Sequence, residues 1–234
     1  MAESGTPPAM QDAKAFLYPK TFNCTVCEKD FVQQMVRKSK LRAVHVDMDF
    51  RSAYNGIDPN RYEVMLCSNC GFATLPTYFD KLMQRQKDAI LQKIKPDYKH
   101  VEHEVPYSLD AAVERYEQAI RCAEAIDAKV SVKAFTCLRL AWVYRDVGRR
   151  DDELKFIKIV YEGLKEAYST EKFPLGNMDE STAKYVIADM ARRLGLMGEA
   201  MRWVADVIVA KGVSSGLKEK AVLLKDMVRE GNTE

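Results

Sequence analysis

At 234 residues, with 47% apolar and 30% charged side chains, the chain has the composition of an ordinary folded protein, long enough for one large or two ordinary domains. A formal net charge of +2 argues against a strongly basic nucleic-acid binder. No apolar run approaches the roughly 18 residues that a membrane-spanning helix needs.

Residues 1–18 are polar, with Pro7 and Pro8, and read as a flexible lead-in that is neither a signal peptide nor an anchor. Residues 21–31 then form a turn around Cys24-Thr-Val-Cys27 and enter a strand. Residues 31–36 and 41–47 are short and rich in β-branched side chains, which predicts a hairpin around the basic bend Arg37-Lys38-Ser39-Lys40. Strand alternation puts Val44 and Val46 on one face and His45, Asp47 and Asp49 on the other. After the turn-rich stretch from Tyr54 to Pro59, residues 62–67 read as a third strand that delivers Cys67-Ser-Asn-Cys70-Gly71.

From Pro76 the apolar period becomes helical, through Phe79, Leu82, Met83, Ile90, Leu91 and Ile94, until Lys95-Pro96 stops it. The proline-bounded loop 96–107 is polar and holds His100-Val-Glu-His103. Ser108 is an N-cap, with Asp110 in the first turn, for a helix running to about Asp127. Five further apolar stripes follow: Phe135 to Trp142, Leu154 to Tyr168, Ala183 to Leu194, Ala200 to Val207 and Leu217 to Val228. Two of the resulting hairpins echo one another at an offset of 47, with Leu140-Ala-Trp-Val-Tyr144 and Gly148 matching Ile187-Ala-Asp-Met-Ala191 and Gly195. A small residue, a closing glycine and an acidic start to the next helix are how a tetratricopeptide hairpin is written, although its usual period is about 34. Stacked hairpins of this kind leave a concave groove in which partners bind.

The fold class expected is α+β: a flexible N-terminus over 1–18, a small zinc-ribbon-like β module over 19–75, a connecting helix and loop over 76–107, and an all-α, tetratricopeptide-like helical-repeat domain over 108–230. The two Cys-x-x-Cys pairs are 39 residues apart. Four thiolates are the soft, tetrahedral set that Zn²⁺ prefers, so Cys24, Cys27, Cys67 and Cys70 are the predicted ligands of one structural ion. A redox pair, a disulfide pair and coincidence are the alternatives; a redox Cys-x-x-Cys is normally single and opens a helix. Gly71 can take positive φ behind the second pair, whereas Glu28 stands at the same place in the first, which predicts a more strained or looser first turn. So small a module buries little apolar surface, and metal ligation, about 10–16 kcal/mol in zinc-finger peptides, exceeds what its own core offers. Cys122 and Cys137 lie on helical stripes and read as buried free thiols.

These residues carry a resemblance. Cys24-x-x-Cys27, Arg37-x-Ser39-Lys40-Leu41-Arg42, Asp47-x-Asp49-Phe50, Tyr54, Pro59, Tyr62 and Cys67-x-x-Cys70-Gly71 resemble the bacterial family catalogued as domain of unknown function 2225, and the likeness runs on through the helices to about residue 210. The family pattern commonly begins Cys-Pro-x-Cys-Gly, where this chain has Thr25 and Glu28. The resemblance implies the two-part layout and a bacterial cytoplasm, and carries no established activity with it. Cysteines paired for metal without a secretory signal also fit a reducing cytoplasm.

Weaker candidates remain beside the cysteines. His45, Asp47 and Asp49 offer a harder metal site or an acid/base cluster, against the plainer reading of a solvated strand face in which an aspartate pairs Arg37, Arg42 or Arg51. His100 and His103, with Glu102 and Glu104, sit in a loop that reads as surface. The bend from Arg37 to Arg42, with Tyr54 and Tyr62 as stacking platforms, suggests nucleic acid; yet residues 1–105 hold 15 basic and 13 acidic side chains, no electrostatic footprint. No P-loop, dinucleotide fingerprint, His-Glu-x-x-His or Gly-x-Ser-x-Gly occurs. The expected function is therefore a non-enzymatic structural-zinc protein whose helical groove binds a protein or peptide. A nucleic-acid-associated zinc-ribbon regulator is the alternative, and a metalloenzyme using His45, Asp47 and Asp49 the second.

Overall fold

A computed structural model describes residues 13–233. The lead-in expected over residues 1–18 lies outside the described residues as far as residue 12, and its last two residues belong to a strand. The architecture is α+β, in two compact units: one takes the chain up to residue 46 together with 52–127, the other residues 47–51 together with the chain from 128 onward.

In the first unit, β1 (Leu17–Asn23) and β2 (Asp30–Val36) pair antiparallel from Leu17 opposite Val36 to Asn23 opposite Asp30. The strand expected over 31–36 therefore pairs backwards along the chain, not forwards with 41–47. Its tip explains why: Cys24 N–H donates to the Lys29 carbonyl at 3.0 Å and Glu28 N–H to the Cys24 carbonyl at 2.8 Å, closing a turn tight enough to return the chain on β1. The basic stretch is a 3₁₀ turn, Lys38–Lys40, and β3 (Ala43–Val46) finds its partner in β4 (Ser52–Tyr54). All four residues of β3 are exposed, so Val44 and Val46 cover no core. The third strand, expected over residues 62–67, is cut short at its start by a second 3₁₀ turn, Pro59–Tyr62, started by proline and capped by the Asp58 carboxylate on Asn60 N–H. Only β5 (Met65–Leu66) remains extended, paired with β6 (Ala73–Thr74).

The helix expected from Pro76 starts later, after a 3₁₀ turn at Pro76–Tyr78, as α1 (Gln84–Lys93). The helix α2 (Leu109–Ala125) begins where the cap residue predicts, with Ser108 Oγ accepting from Ala111 N–H at 3.1 Å. Both helices belong to the first unit. The core they complete has two parts. Phe31, Phe72 and Phe79 are buried with ring centroids 5.4 to 5.8 Å apart, and Leu17, Ile57, Tyr62, Tyr107 and Ala111 form the other part.

The second unit is a run of antiparallel neighbours: α3 (Val130–Asp146), α4 (Arg150–Thr170), α5 (Glu180–Arg193), α6 (Met197–Val209) and α7 (Ser215–Arg229). Its core is the apolar stripe of each helix, with Leu140, Ile157, Leu164, Ile187, Met190, Val204 and Leu224 fully buried. The two echoing turns close alike. Gly148 N–H reaches the Arg145 carbonyl and Arg149 N–H that of Tyr144; 47 residues on, Gly195 reaches Arg192 and Leu196 reaches Ala191. Among the described residues no helix is long and apolar enough to cross a membrane.

Candidate metal centre

The two cysteine turns are built on one plan. Each is the tip of a hairpin, β1–β2 for the first and β5–β6 for the second. Cys67 N–H donates to the Phe72 carbonyl at 2.9 Å and Gly71 N–H to that of Cys67 at 3.0 Å, repeating bond for bond the pattern at Cys24 and Glu28. The fourth residue after the first cysteine is left-handed in both, Gly71 at φ 73° and Glu28 at φ 57°. The first turn thus holds a side chain where it is unfavourable, as its sequence predicts. It also carries the one ligand candidate that is not fully buried, Cys27.

The four sulfurs meet. Cys24 Sγ lies 3.7 Å from Cys70 Sγ, Cys27 Sγ lies 3.7 Å from Cys67 Sγ, and all four fall within 4.8 Å of one another. A disulfide needs about 2.05 Å, whereas four sulfurs about 2.3 Å from one tetrahedral Zn²⁺ stand about 3.8 Å apart. Geometry and donor chemistry therefore fit a metal ion.

Electrostatics agree. Sharing protons with Cys24 and Cys70 lowers the Cys67 thiol far below its usual range, so one thiolate forms readily among thiol donors. The proton shared with Cys67, with burial added, pushes Cys24 up to about 12, and the sulfurs of Cys24 and Cys67 raise Cys70 further. Four negative sulfurs in so small a space require a cation to hold them.

A surrounding layer fixes the second turn. Cys122 of α2 donates its thiol to the Gly71 carbonyl at 3.3 Å and accepts from Ala73 N–H, while Gln118 Nε2 donates to the same carbonyl at 2.7 Å. Burial pushes the Cys122 thiol up to about 11, which keeps that donor proton in place. Behind Gly71 stands Tyr98, whose Cγ would lie 2.4 Å from any Cβ added there. Cys122 and Cys137 are both buried and free, as the helical stripes suggest. The clamp on Gly71 carries no sequence signal, because its parts come from 47 and 51 residues away.

The weaker candidates resolve differently. Among the described residues the metal-capable cluster is that of the four cysteines, and it does not include His45, Asp47 or Asp49. Asp47 and Asp49 lie in the tight segment 47–51 of the second unit, His45 on exposed β3 of the first. Asp49 is 1% exposed and fully engaged: Arg145 Nη2 and Trp142 Nε1 donate to its Oδ2 at 2.7 and 2.8 Å, and Arg51 N–H to its Oδ1 at 3.3 Å. Arg145 also reaches Asp47 and Glu153, each at 2.7 Å. Burial works against the Asp49 charge, but Arg145 and Arg193 outweigh it and hold the carboxyl at about 2. These are structural carboxylates, on a buried face in place of the expected solvated strand face, although Asp47 does pair Arg51, at 3.3 Å, as the plainer reading expects. His103 pairs Glu114 at 3.2 Å and His100 Nδ1 meets the Tyr98 hydroxyl at 3.1 Å, so the loop histidines do not meet at one site. In the basic bend, Lys40 Nζ donates to the Ala15 carbonyl and Arg42 turns back on the carbonyls of Ser39 and Leu41. Tyr62 is buried against Tyr107 and cannot stack a base.

A family model described as an uncharacterized protein conserved in bacteria (DUF2225) matches residues 17–234. The chain belongs to this family. No curated protein and no solved structure is found to match it. The resemblance read from the motifs thus covers nearly the whole chain. Of the motif residues of this DUF2225 chain, the cysteines and Gly71 lie at the four-sulfur cluster, Asp47, Asp49 and Phe50 lie in the segment that belongs to the helical unit, and the others lie elsewhere in the first unit.

Proposed function

We propose that this protein is a non-enzymatic scaffold in which Cys24, Cys27, Cys67 and Cys70 hold one structural Zn²⁺ in a zinc-ribbon-like module, and in which the tetratricopeptide-like helices bind a protein or peptide partner. The observation that carries it is the pair of matched turns whose sulfurs stand at the spacing of a tetrahedral tetrathiolate site. The ion would tie two hairpins together; four protein ligands leave no open position for substrate, which separates this site from catalytic zinc centres. Six cysteines among the described residues, none of them in a disulfide, support a reducing compartment, the cytoplasm.

The helical-repeat reading draws support from the two turns that close with the same hydrogen bonds 47 residues apart. A binding role draws support from α7, which exposes Val222 and Leu223 side by side.

Two measurements test the proposal. Elemental analysis of the purified protein is expected to give one zinc per chain, lost on replacing Cys67 or Cys70 by Ser. A pull-down from bacterial cytosol with the metal-loaded protein is expected to recover a specific partner that the double variant Val222→Lys, Leu223→Lys loses. Absence of zinc overturns the first half, and a partner indifferent to α7 the second. Salt-sensitive binding of RNA or DNA, abolished by replacing Arg37, Lys38, Lys40 and Arg42, would instead favour a nucleic-acid regulator.

A further inference from the structure

A cavity of about 460 Å³ opens in the first unit between α1, the loop after it and α2. Its lining includes Arg115, 5% exposed and set among tyrosines, with no carboxylate partner among the described residues. Arg115 Nη2 donates to Gln33 Oε1 at 2.6 Å and to the Val64 carbonyl at 2.8 Å, and the guanidinium lies over the Tyr107 ring. Among the described residues Nε is buried without any acceptor, and Nη1 forms no hydrogen bond. An arginine presents five N–H donors, so three of them are idle.

Such a cation is expensive to bury unpaired, because the charge loses its hydration and gains no counter-ion. The neighbouring carboxylates do not relieve it: Glu114 turns to His103, and Glu117 and Asp97 are exposed and make no ion pair with Arg115. Three more cations of the lining, Lys93, Lys99 and Arg121, are exposed and form no ion pair among the described residues; Lys93 Nζ donates to the Ala125 carbonyl at 3.4 Å, which leaves Lys99 and Arg121. The remaining walls set Leu66, Ile94, Tyr98 and Val101 beside the polar His103 and Gln118, and Val101 is exposed although apolar.

We propose that this cavity binds a small organic anion, its carboxylate or phosphate head on the idle Nη1 donors of Arg115 with Lys99 and Arg121 at the rim, and its apolar body against Tyr98 and Val101. The planar fork of a guanidinium matches either head group, and the volume lies in the range of small-molecule sites. The site is independent of the partner surface on α7 and of which metal the cysteines hold.

The test is titration of the metal-loaded full chain with benzoate and, separately, phenyl phosphate, followed by amide chemical shifts of the loop 96–107. One of the two is expected to saturate by about 10 mM, ten times a 1 mM dissociation constant; which one identifies the head group. Arg115→Gln is expected to weaken binding at least about tenfold, the equivalent of one charge-assisted hydrogen bond. Because Arg115 also ties α2 to Gln33 and Val64, the rim variant Lys99→Gln, Arg121→Gln keeps the proposal falsifiable if that protein fails to fold. Its binding is expected to weaken about threefold or more while the melting temperature holds. No shift in the loop with either anion, or shifts that neither variant alters, overturns the site.

Discussion

Glu28 and Gly71 occupy the same place in the two cysteine turns, and both backbones are left-handed there, but only one of them is a glycine. A side chain in that conformation costs about 1 kcal/mol or more. Replacing Glu28 by Gly is therefore expected to leave metal binding intact and to raise stability by up to about 1 kcal/mol, since relief of strain competes with the greater freedom of an unfolded glycine. Gly71 is the harsher case. Its φ of 73° adds to a direct collision, because a Cβ would meet the Tyr98 ring and its Cβ at 2.4 to 2.8 Å. Gly71→Ala is expected to destabilise the first unit by about 1–3 kcal/mol and to loosen zinc, measured as faster transfer of the metal to a competing chelator. An alanine protein that melts and retains zinc like the parent would show that Tyr98 moves away freely.

At the scale of elements, Asp49 shows what holds the segment 47–51 on the helices. It receives α3 through Trp142 and Arg145, and Arg145 passes the contact to Glu153 of α4, while Arg193 of α5 joins Glu153 and Asp189. A buried pair broken on one side leaves a charge uncompensated, so Asp49→Asn is expected to cost about 3–5 kcal/mol in the helical unit. The pH dependence has a definite sign. The folded carboxyl sits at about 2, below an unfolded aspartate at about 3.9. Its contribution is complete above about pH 4 and drains away as the pH falls toward 2, so acid should melt the parent in that window and steepen the loss less in the Asn variant. Circular dichroism at 222 nm along a pH series checks both.

The pairing of an aspartate with Arg51 was legible and Asp47 makes it, at 3.3 Å; the Asp49 network was not, because Asp49 and Arg145 are 96 residues apart in sequence and a carboxylate on a strand-like run looks the same whether it meets water or a guanidinium. The cysteine cluster was legible, since the ligand type and the two-residue gap are themselves the signal. Helix positions were readable from apolar period and from Ser108, whereas the partner of β2 was not: β-branched content marks a strand without choosing its neighbour, and the tight turn at Cys24 decided it.

The chain as a whole joins two units with different sources of stability. The helical unit rests on five packed helices, of which α3 and α5 are buried almost all round, and on its buried ion network. The first unit has short strands of two to seven residues, although α2 and the aromatic cluster give it more core than its β hairpins alone supply. A metal contribution of about 10–16 kcal/mol in zinc-finger peptides matches or exceeds the 5–15 kcal/mol net stability of a whole domain. Removing the ion should therefore unfold the first unit and spare the second. A strong chelator is expected to abolish the calorimetric transition of the metal unit and to leave that of the helices near its original temperature. The far-ultraviolet signal should fall only by the smaller share that α1 and α2 provide. If the protein melts identically with and without chelator, the hairpins are held by α2 and their aromatic core rather than by four sulfurs on one ion.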